Sequence, residues 1–230
     1  MAVASLGGHV DINLTGQYSC DMNGTRAVGD ATPKGGGRAE ATRRRLLDAA
    51  DGLFYADGIR STGVVAIAER AGVTKMTFYA HFASKDELVC AYLRERDTRW
   101  RELLEGMLAE HEAPGDKLLA VFDAYREFGV LGGLRGCAFV NCAAEFPDRG
   151  HPARRVAREH KAAMRRRLAD LAAEAGAEEP EVLAEGLFVL LEGSYVTAAM
   201  EGDEGVVDRA RRLAEDLVSA AVARPGPSRG

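Results

Sequence analysis

The sequence predicts an all-α protein in which a small N-terminal domain of three helices precedes a larger helical bundle. Apolar residues recur at three- and four-residue spacing from Ala39 to about Val222, which is the period of amphipathic helices. No convincing run alternates apolar and polar residues as a half-buried strand does. Hydrophobic residues make up 47% of the 230-residue chain and charged residues 28%, so the chain can bury a core of ordinary size.

The first three helices are predicted to be closely spaced. The first extends from Ala39 to Asp57, where Gly58 can take the left-handed conformation that ends a helix. Its buried face consists of apolar residues at helical spacing, namely Leu46, Leu47, Ala50, Leu53 and Phe54. A second helix is predicted over 62–71 and, after a glycine turn, a third over 75–82.

Capping residues indicate where the third and fourth helices begin. The Thr74 hydroxyl can accept a hydrogen bond from the amide of Thr77 and so cap the third helix. Ser84 and Glu87 have the spacing of a capping box, which predicts a long fourth helix that reaches about Glu110. Glycine and proline residues separate the later helices, which are predicted at about 115–130, 138–145, 152–176, 180–200 and 203–222.

Charge, cysteine content and hydropathy exclude several classes of protein. The formal net charge is −5, so any contact with a nucleic acid must come from a local basic patch. The four cysteines are too few and too scattered for a disulfide framework, and none has the spacing of a zinc site. No stretch reaches about 18 uninterrupted apolar residues, and the N-terminus lacks a signal-peptide pattern. We therefore predict a cytoplasmic protein without a membrane span.

Motifs of catalysis are missing from the sequence. It contains no nucleophile elbow, no zinc-protease motif, no phosphate-binding loop and no dinucleotide fingerprint. The five histidines are dispersed along the chain. We predict that the protein is not an enzyme and that it has no catalytic residue, no metal ligand and no cofactor.

The second and third helices have the form of a helix-turn-helix, in which a tight glycine turn joins two short helices. Phe78 and Phe82 lie four residues apart and would attach the third, recognition helix to the core. Polar side chains on its other faces and at neighbouring helix starts are the predicted DNA contacts: Thr62, Lys75, Thr77, Tyr79, His81 and Lys85. Tyr79 has a second interpretation, as a residue that packs on the first helix.

Residues 42–89 resemble the DNA-binding domain of the tetracycline-repressor (TetR) family of bacterial transcription regulators. The matching segments are Arg45–Ala50 with Leu53, Phe54 and Gly58, then Ile67–Lys75, then Phe78–Leu88. The resemblance implies an N-terminal DNA-reading domain and a C-terminal helical domain that dimerises and binds a small molecule. Met76 and Ala80 depart from the family pattern, which leaves the operator sequence open.

The predicted domain organisation follows from these patterns. We predict a disordered tail over 1–37, a helix-turn-helix domain over 38–85, a ligand-binding and dimerisation domain over 86–223 and a second tail over 224–230. The first tail has an alternative interpretation as an arm that touches DNA, for which Arg26, Lys34 and Arg38 supply the charge.

The segment 136–146, followed by His151 and Pro152, resembles a segment that forms a short helix beside the ligand pocket in one branch of the family. The candidate ligand contacts are Phe122, Tyr125, Phe139, Asn141, Cys142, Glu145, Phe146, Phe188, Glu192 and Tyr195. The alternative is that these aromatic residues are only the core of the bundle. If Glu145 and Glu192 both face the pocket, a cationic or hydrogen-bond-donating ligand is expected.

Cys137 and Cys142 permit a redox-sensor hypothesis. Their five-residue spacing places the two thiols on different faces of a helix, which disfavours a direct bridge. We therefore expect ordinary buried cysteines.

Together these patterns predict a homodimeric, ligand-responsive transcription regulator, a repressor that leaves its DNA operator when a small molecule binds. The last two long helices are expected to form the dimer seam, through Leu183, Leu187, Leu190, Leu191, Val207, Ala210, Leu213 and Leu217. The alternative is a helical small-molecule-binding protein or enzyme that has lost DNA binding. Affinity for DNA that falls steeply with salt would distinguish the two.

Overall fold

The computed structural model describes residues 36–131 and 135–222, and within these ranges the chain forms nine α-helices and no strand. In chain order the helices are α1 (Gly36–Asp57), α2 (Val64–Arg70), α3 (Lys75–His81), α4 (Lys85–Leu108), α5 (Pro114–Leu131), α6 (Ala138–Glu145), α7 (Pro152–Glu174), α8 (Pro180–Glu201) and α9 (Gly205–Val222). The all-α class and the order of the helices are as predicted.

Two predicted boundaries at the N-terminal side need correction. Helix α1 already begins at Gly36, inside the predicted tail, and the sequence did not indicate this start because Gly36 and Gly37 have no side chains to continue the apolar period. Helix α2 begins at Val64 rather than at Thr62, because Gly63 is extended and forms its N-cap. The rest of the first tail and the whole of the tail over 224–230 lie outside the described residues.

Two hydrophobic clusters form the core. One is the centre of the bundle, where α4, α5, α7, α8 and α9 meet around residues such as Leu118 and Leu187. The other cluster contains residues of all four helices from α1 through α4. It also contains Phe139 and Cys142 of α6 and Val156 of α7. The core of the helix-turn-helix region therefore extends past residue 85 and includes helices of the C-terminal half.

The predicted dimer seam names the correct helices for an apolar surface but the wrong side of α8. Most of the named residues are buried within the chain's own core: Leu183, Leu187, Leu191, Val207 and Ala210. The large apolar side chains that α8 and α9 expose are Val182, Val189, Val196, Met200, Leu213, Leu217 and Val222. The prediction named the wrong residues of α8 because this helix is apolar on nearly every side. Its sequence therefore does not indicate which side faces the core.

The same apolar character affects the membrane prediction. Helix α8 is long and apolar enough to cross a membrane by length and composition, although Glu185 and Glu192 interrupt its apolar sequence. Buried core helices pass the same test, and α8 packs against both α7 and α9. This feature is weak support for a membrane span.

Candidate DNA-binding surface and effector cavity

Helix α3 is held in place by its cap and its aromatic residues. The Thr74 hydroxyl accepts a hydrogen bond from the Thr77 amide at 3.1 Å, as predicted. Phe78 and Phe82 are fully buried and anchor the helix. The next helix begins with Ser84, which accepts from the Glu87 amide at 3.1 Å, while the Glu87 carboxylate accepts from the Ala83 amide at 2.8 Å. Both ends of the recognition helix are therefore defined by local hydrogen bonds.

Five of the six predicted DNA contacts lie on the outer surface of this motif. Lys75 and Tyr79 are exposed, and Thr77, His81 and Lys85 are half-buried. Tyr79 is 48% exposed and touches Phe78 edge-on with 5.2 Å between ring centroids, so it packs locally while about half of its surface stays accessible. Burial lowers the pKa of the Lys85 ammonium, while Asp86 and Glu145 raise it.

Thr62 is the exception and is removed from the candidate DNA contacts. Its side chain is only 5% exposed, and its hydroxyl donates to the carbonyl oxygen of Gly58 at 2.8 Å. Because helix α2 begins two residues later, Thr62 neither caps it nor offers a free hydroxyl there.

Two further residues complete the candidate DNA-binding surface. Met76 is 83% exposed on α3, between Lys75 and Thr77. The guanidinium of Arg43 on α1 lies 5.0 Å from the ring centroid of Phe82, so this charge is placed beside the end of the recognition helix. Met76 already stood out in the sequence as a departure from the family pattern. Nothing in the sequence indicated Arg43 as a DNA contact, because its proximity to α3 arises from tertiary packing.

A small cavity lies inside the C-terminal half, next to α1. Its volume is about 20 Å³, which is room for about one water molecule. The lining residues come from α4 to α8 and the segment before α6, and they are Arg96, Trp100, Tyr125, Phe128, Gly136, Cys137, Ala138, Phe139, His160 and Tyr195. Glycine at position 129 allows the Tyr195 ring to pack closely at the cavity wall, because a Cβ at this position would lie 2.5 Å from that ring.

Only part of the predicted ligand set lies at this cavity. Tyr125, Phe139 and Tyr195 line it, and the Glu192 carboxylate accepts a hydrogen bond from the Tyr125 hydroxyl at 2.5 Å. Lys161 pairs with the same carboxylate at 2.6 Å, so the charge of Glu192 is already compensated. The cationic ligand that two unpaired glutamates would have favoured is therefore not supported.

The other predicted ligand contacts have different surroundings. Phe122, Cys142 and Phe188 are buried in the two hydrophobic clusters. The Asn141 amide donates to the Arg135 carbonyl at 3.0 Å, and the Phe146 ring stacks on His151 with 4.0 Å between centroids. None of these five is among the residues that line the cavity.

The expectation that Glu145 faces a pocket is wrong. Its carboxylate accepts hydrogen bonds from the backbone amides of Ile59 at 3.0 Å and Arg60 at 2.6 Å, in the segment between α1 and α2. Gly58, with φ of +94°, leaves room for this carboxylate. Glu145 thus connects the end of α6 to the helix-turn-helix region.

The most distinctive polar residue at the cavity is Arg96 of α4. It is 7% exposed, and its Nη1 donates to Asp51 of α1 at 2.7 Å. Its guanidinium also lies 4.4 Å from the ring centroid of Tyr55. The Tyr55 hydroxyl in turn donates to the Gly136 carbonyl at the cavity, at 3.0 Å. Sequence analysis missed Arg96 because an arginine in an amphipathic helix normally indicates an exposed face.

His160 forms another polar part of the wall. Its Nδ1 lies 2.7 Å from an Asp97 carboxylate oxygen, and its ring stacks on Phe139 at 3.7 Å between centroids. Burial lowers the pKa of His160, while the hydrogen bond to Asp97 raises it, and the net direction is downward. The neutral imidazole is therefore favoured.

Cys137 and Cys142 are both free thiols. Cys142 is fully buried, and burial raises the pKa of its thiol to about 12, so its reactive thiolate form is disfavoured. Cys137 lines the cavity and is half-buried. Within the two described ranges, no cluster of three or more histidine, cysteine or acidic residues could hold a metal ion.

A capped helix-turn-helix carried by a helical bundle with an internal cavity defines a class of DNA-binding regulators. The family model described as bacterial regulatory proteins, tetR family, matches residues 46–92. The model described as tetracyclin repressor-like, C-terminal domain, matches residues 114–214. The two matches cover the helix-turn-helix region and most of the bundle.

Individual relatives agree along nearly their whole length. The HTH-type transcriptional regulator YjdC of Escherichia coli K12 is 28% identical over 187 residues, which are 80% of this chain and 97% of YjdC. The crystal structure of SCO4454, a TetR-family transcriptional regulator from Streptomyces coelicolor, is 30% identical with a TM-score of 0.76, over 80% of this chain and 97% of that one. A putative TetR-type regulator from Streptomyces avermitilis is 31% identical with a TM-score of 0.68, over 78% and 97% of the two chains.

The chain therefore belongs to the TetR family and is a DNA-binding transcription regulator, not an enzyme. Its kinship with transcription regulators also implies a soluble protein of the cytoplasm.

Proposed function

We propose that this regulator is a homodimeric repressor that leaves its operator when a small molecule occupies the cavity around Arg96. The effector and the operator sequence are separate questions from the family assignment. The proposal is supported by the way in which the cavity is joined to the DNA-binding helices.

Three polar contacts make this connection, and they are the observation on which the proposal rests. Arg96 of the cavity wall pairs with Asp51 of α1, and Tyr55 of α1 donates to the backbone of Gly136. Glu145, at the end of α6, binds the amides of the segment that leads into α2. A ligand that displaces α4 or α6 must therefore also displace α1 or the start of the helix-turn-helix.

The mechanism is a shift between two conformations. Two recognition helices must enter successive major grooves about 34–36 Å apart. A ligand lowers DNA affinity only if it binds more tightly to the conformation that does not fit the operator. Because the cavity holds only about 20 Å³, a ligand larger than water must select a more open arrangement of its walls.

The proposed dimer uses the exposed apolar side of α8 and α9. A surface groove there is lined by Gly186, Val189, Leu190, Leu213, Asp216 and Leu217. Burying this side in a four-helix seam would remove its large apolar groups from water. It would also account for the apolar character of α8 on both of its sides.

A gel-shift experiment tests the proposal. The purified full chain is mixed with the DNA that flanks its own coding region, with unlabelled unrelated DNA as competitor. A specific shift, weakened steeply by salt, is the expected result. Absence of binding to every fragment in a low-salt genomic selection would overturn the proposal and favour a binding protein that has lost DNA recognition.

A further inference from the structure

A residue of the cavity wall, Arg96, has a buried donor without a partner. The Nε–H of Arg96 is buried and has no hydrogen-bond acceptor among the described residues. Nη1 of the same guanidinium binds Asp51, while Nε–H opens on the edge that it shares with Nη2. A buried donor without a partner is unfavourable, so an acceptor placed at this edge would be stabilised.

The charges around this donor favour an anion. Asp51 receives hydrogen bonds from Arg96 at 2.7 Å and from Arg99 at 3.2 Å. One carboxylate therefore faces two guanidinium groups, that of Arg96 at the cavity wall and that of Arg99 outside it, so this cluster as a whole carries one excess positive charge. The neighbouring Lys161 and Glu192 compensate each other.

The rest of the wall is flat and apolar. Its aromatic residues are Trp100, Tyr125, Phe128, Phe139 and Tyr195. Trp100 meets Tyr125 and Phe128 edge-on, with 5.2 and 5.6 Å between centroids. Ring faces and edges in this arrangement pack well against another planar ring.

We propose that the effector is a planar anion, an aromatic carboxylate, whose oxygen accepts a hydrogen bond from the Nε–H of Arg96. Its ring takes a place among the aromatic walls, and its carboxylate lies beside the guanidinium of Arg96. Describing this ligand as the effector rests on the proposed function, whereas the binding site itself does not. The charge-assisted hydrogen bond supplies the selectivity for an anion over a neutral ring.

The chain's single tryptophan provides the measurement. Trp100 lines the cavity, so its fluorescence reports a ligand that enters, in the absence of DNA. Full-length protein is titrated with benzoate, benzamide and benzylamine, which share a ring and differ in charge. We expect a saturable change of fluorescence with benzoate. The affinity for benzamide should be lower than that for benzoate by a factor of about ten or more. Equal affinity for benzoate and benzamide, or no saturable change with benzoate, would overturn the proposal.

Two variants identify the residue responsible. Arg96→Gln removes the Nε donor and should weaken benzoate binding about tenfold or more. Arg99→Gln is the matched control, because Arg99 pairs with the same carboxylate of Asp51 but does not line the cavity. It removes the same charge and should cost much less. Equal losses in the two variants contradict a direct contact at Arg96.

The comparison in wild-type protein does not depend on whether the variants fold. A fluorescence change without DNA binding would refute the proposed repressor and leave this site intact. DNA binding with no response of Trp100 to benzoate would refute the anion site and leave the proposed repressor intact.

Discussion

Single residues connect the two halves of this regulator, and Glu145 is the clearest case. One carboxylate oxygen accepts the Ile59 amide and the other accepts the Arg60 amide, so both oxygens are used. A glutamine has the same shape but only one acceptor oxygen, and its amide group would face an N–H donor.

We therefore expect Glu145→Gln to lower the free energy of unfolding by about 1–2 kcal/mol, the range for a lost hydrogen bond with an unsatisfied partner. Equilibrium urea unfolding measures this change. Glu102→Gln, at an exposed position of α4, is the control and should be close to neutral. Equal stability of E145Q and wild type would show that the carboxylate is not a structural connection.

His160 makes stability depend on pH. Burial lowers its pKa in the folded chain below the usual 6.5. Asp97 and Glu192 act in the opposite direction but do not outweigh the burial. The unfolded chain then binds the proton more readily than the folded one, so stability falls as the pH drops below about 6.5.

The expected result is a larger loss of Tm for wild type than for His160→Gln between about pH 7.5 and pH 5.5. Asp97, whose pKa is lowered from 3.8 because hydrogen bonds from His160 and Arg101 outweigh its burial, titrates below this window. Thermal unfolding followed by circular dichroism provides the comparison. Parallel pH profiles for the two proteins would exclude His160 as the source.

At the scale of elements, helix α3 combines two kinds of contact on one short segment. Lys75 is an exposed charge at its first position, and Met76 is an exposed apolar side chain beside it. Charges bind phosphates regardless of sequence, whereas an apolar side chain in the major groove can distinguish thymine by its methyl group.

The two residues should therefore respond differently to alanine substitution. Lys75→Ala is expected to weaken operator and unrelated DNA alike and to reduce the slope of log affinity against log salt by about one. Met76→Ala should weaken the operator alone, by about 1 kcal/mol or more if it contacts a base. Fluorescence anisotropy over a salt series measures both, with Lys117→Ala on α5 as the control for loss of a lysine. A salt slope unchanged by K75A would remove Lys75 from the DNA contacts.

At the scale of the whole molecule, the proposed dimer depends on the exposed apolar side of α8 and α9. Val189 is 60% exposed within a groove that both helices line. A glutamate placed at the centre of a dimer seam would bury an unpaired charge, which is strongly unfavourable.

If the proposed dimer forms through this surface, we expect Val189→Glu to give a folded monomer and to weaken operator binding, because one head then reads one half-site. Size-exclusion chromatography with light scattering measures the mass. Val65→Glu, an exposed valine of α2, should leave the mass unchanged. A V189E protein that remains dimeric would place the interface elsewhere.

Local interactions made much of this structure predictable. The cap at Thr74, the box at Ser84 and the short helix over 138–145 were all expected from sequence, because their partners lie within four residues. Family resemblance in the helix-turn-helix added the DNA-binding function, since that motif uses contiguous residues. Helix ends were less certain, as Gly36 and Val64 show.

The sequence by itself determined the helical class, the order of the helices and the recognition helix, because periodicity and capping are local properties. Only the tertiary structure decided which polar groups connect the bundle to the N-terminal helices. Arg96 reaches Asp51 across 45 positions of sequence, and Glu145 reaches Ile59 across 86. Nothing in the local pattern distinguishes charged residues that make such tertiary contacts from charged residues that only face solvent. The orientation of α8 was decided in the same way, because a helix that is apolar on nearly every side is oriented only by the helices packed against it.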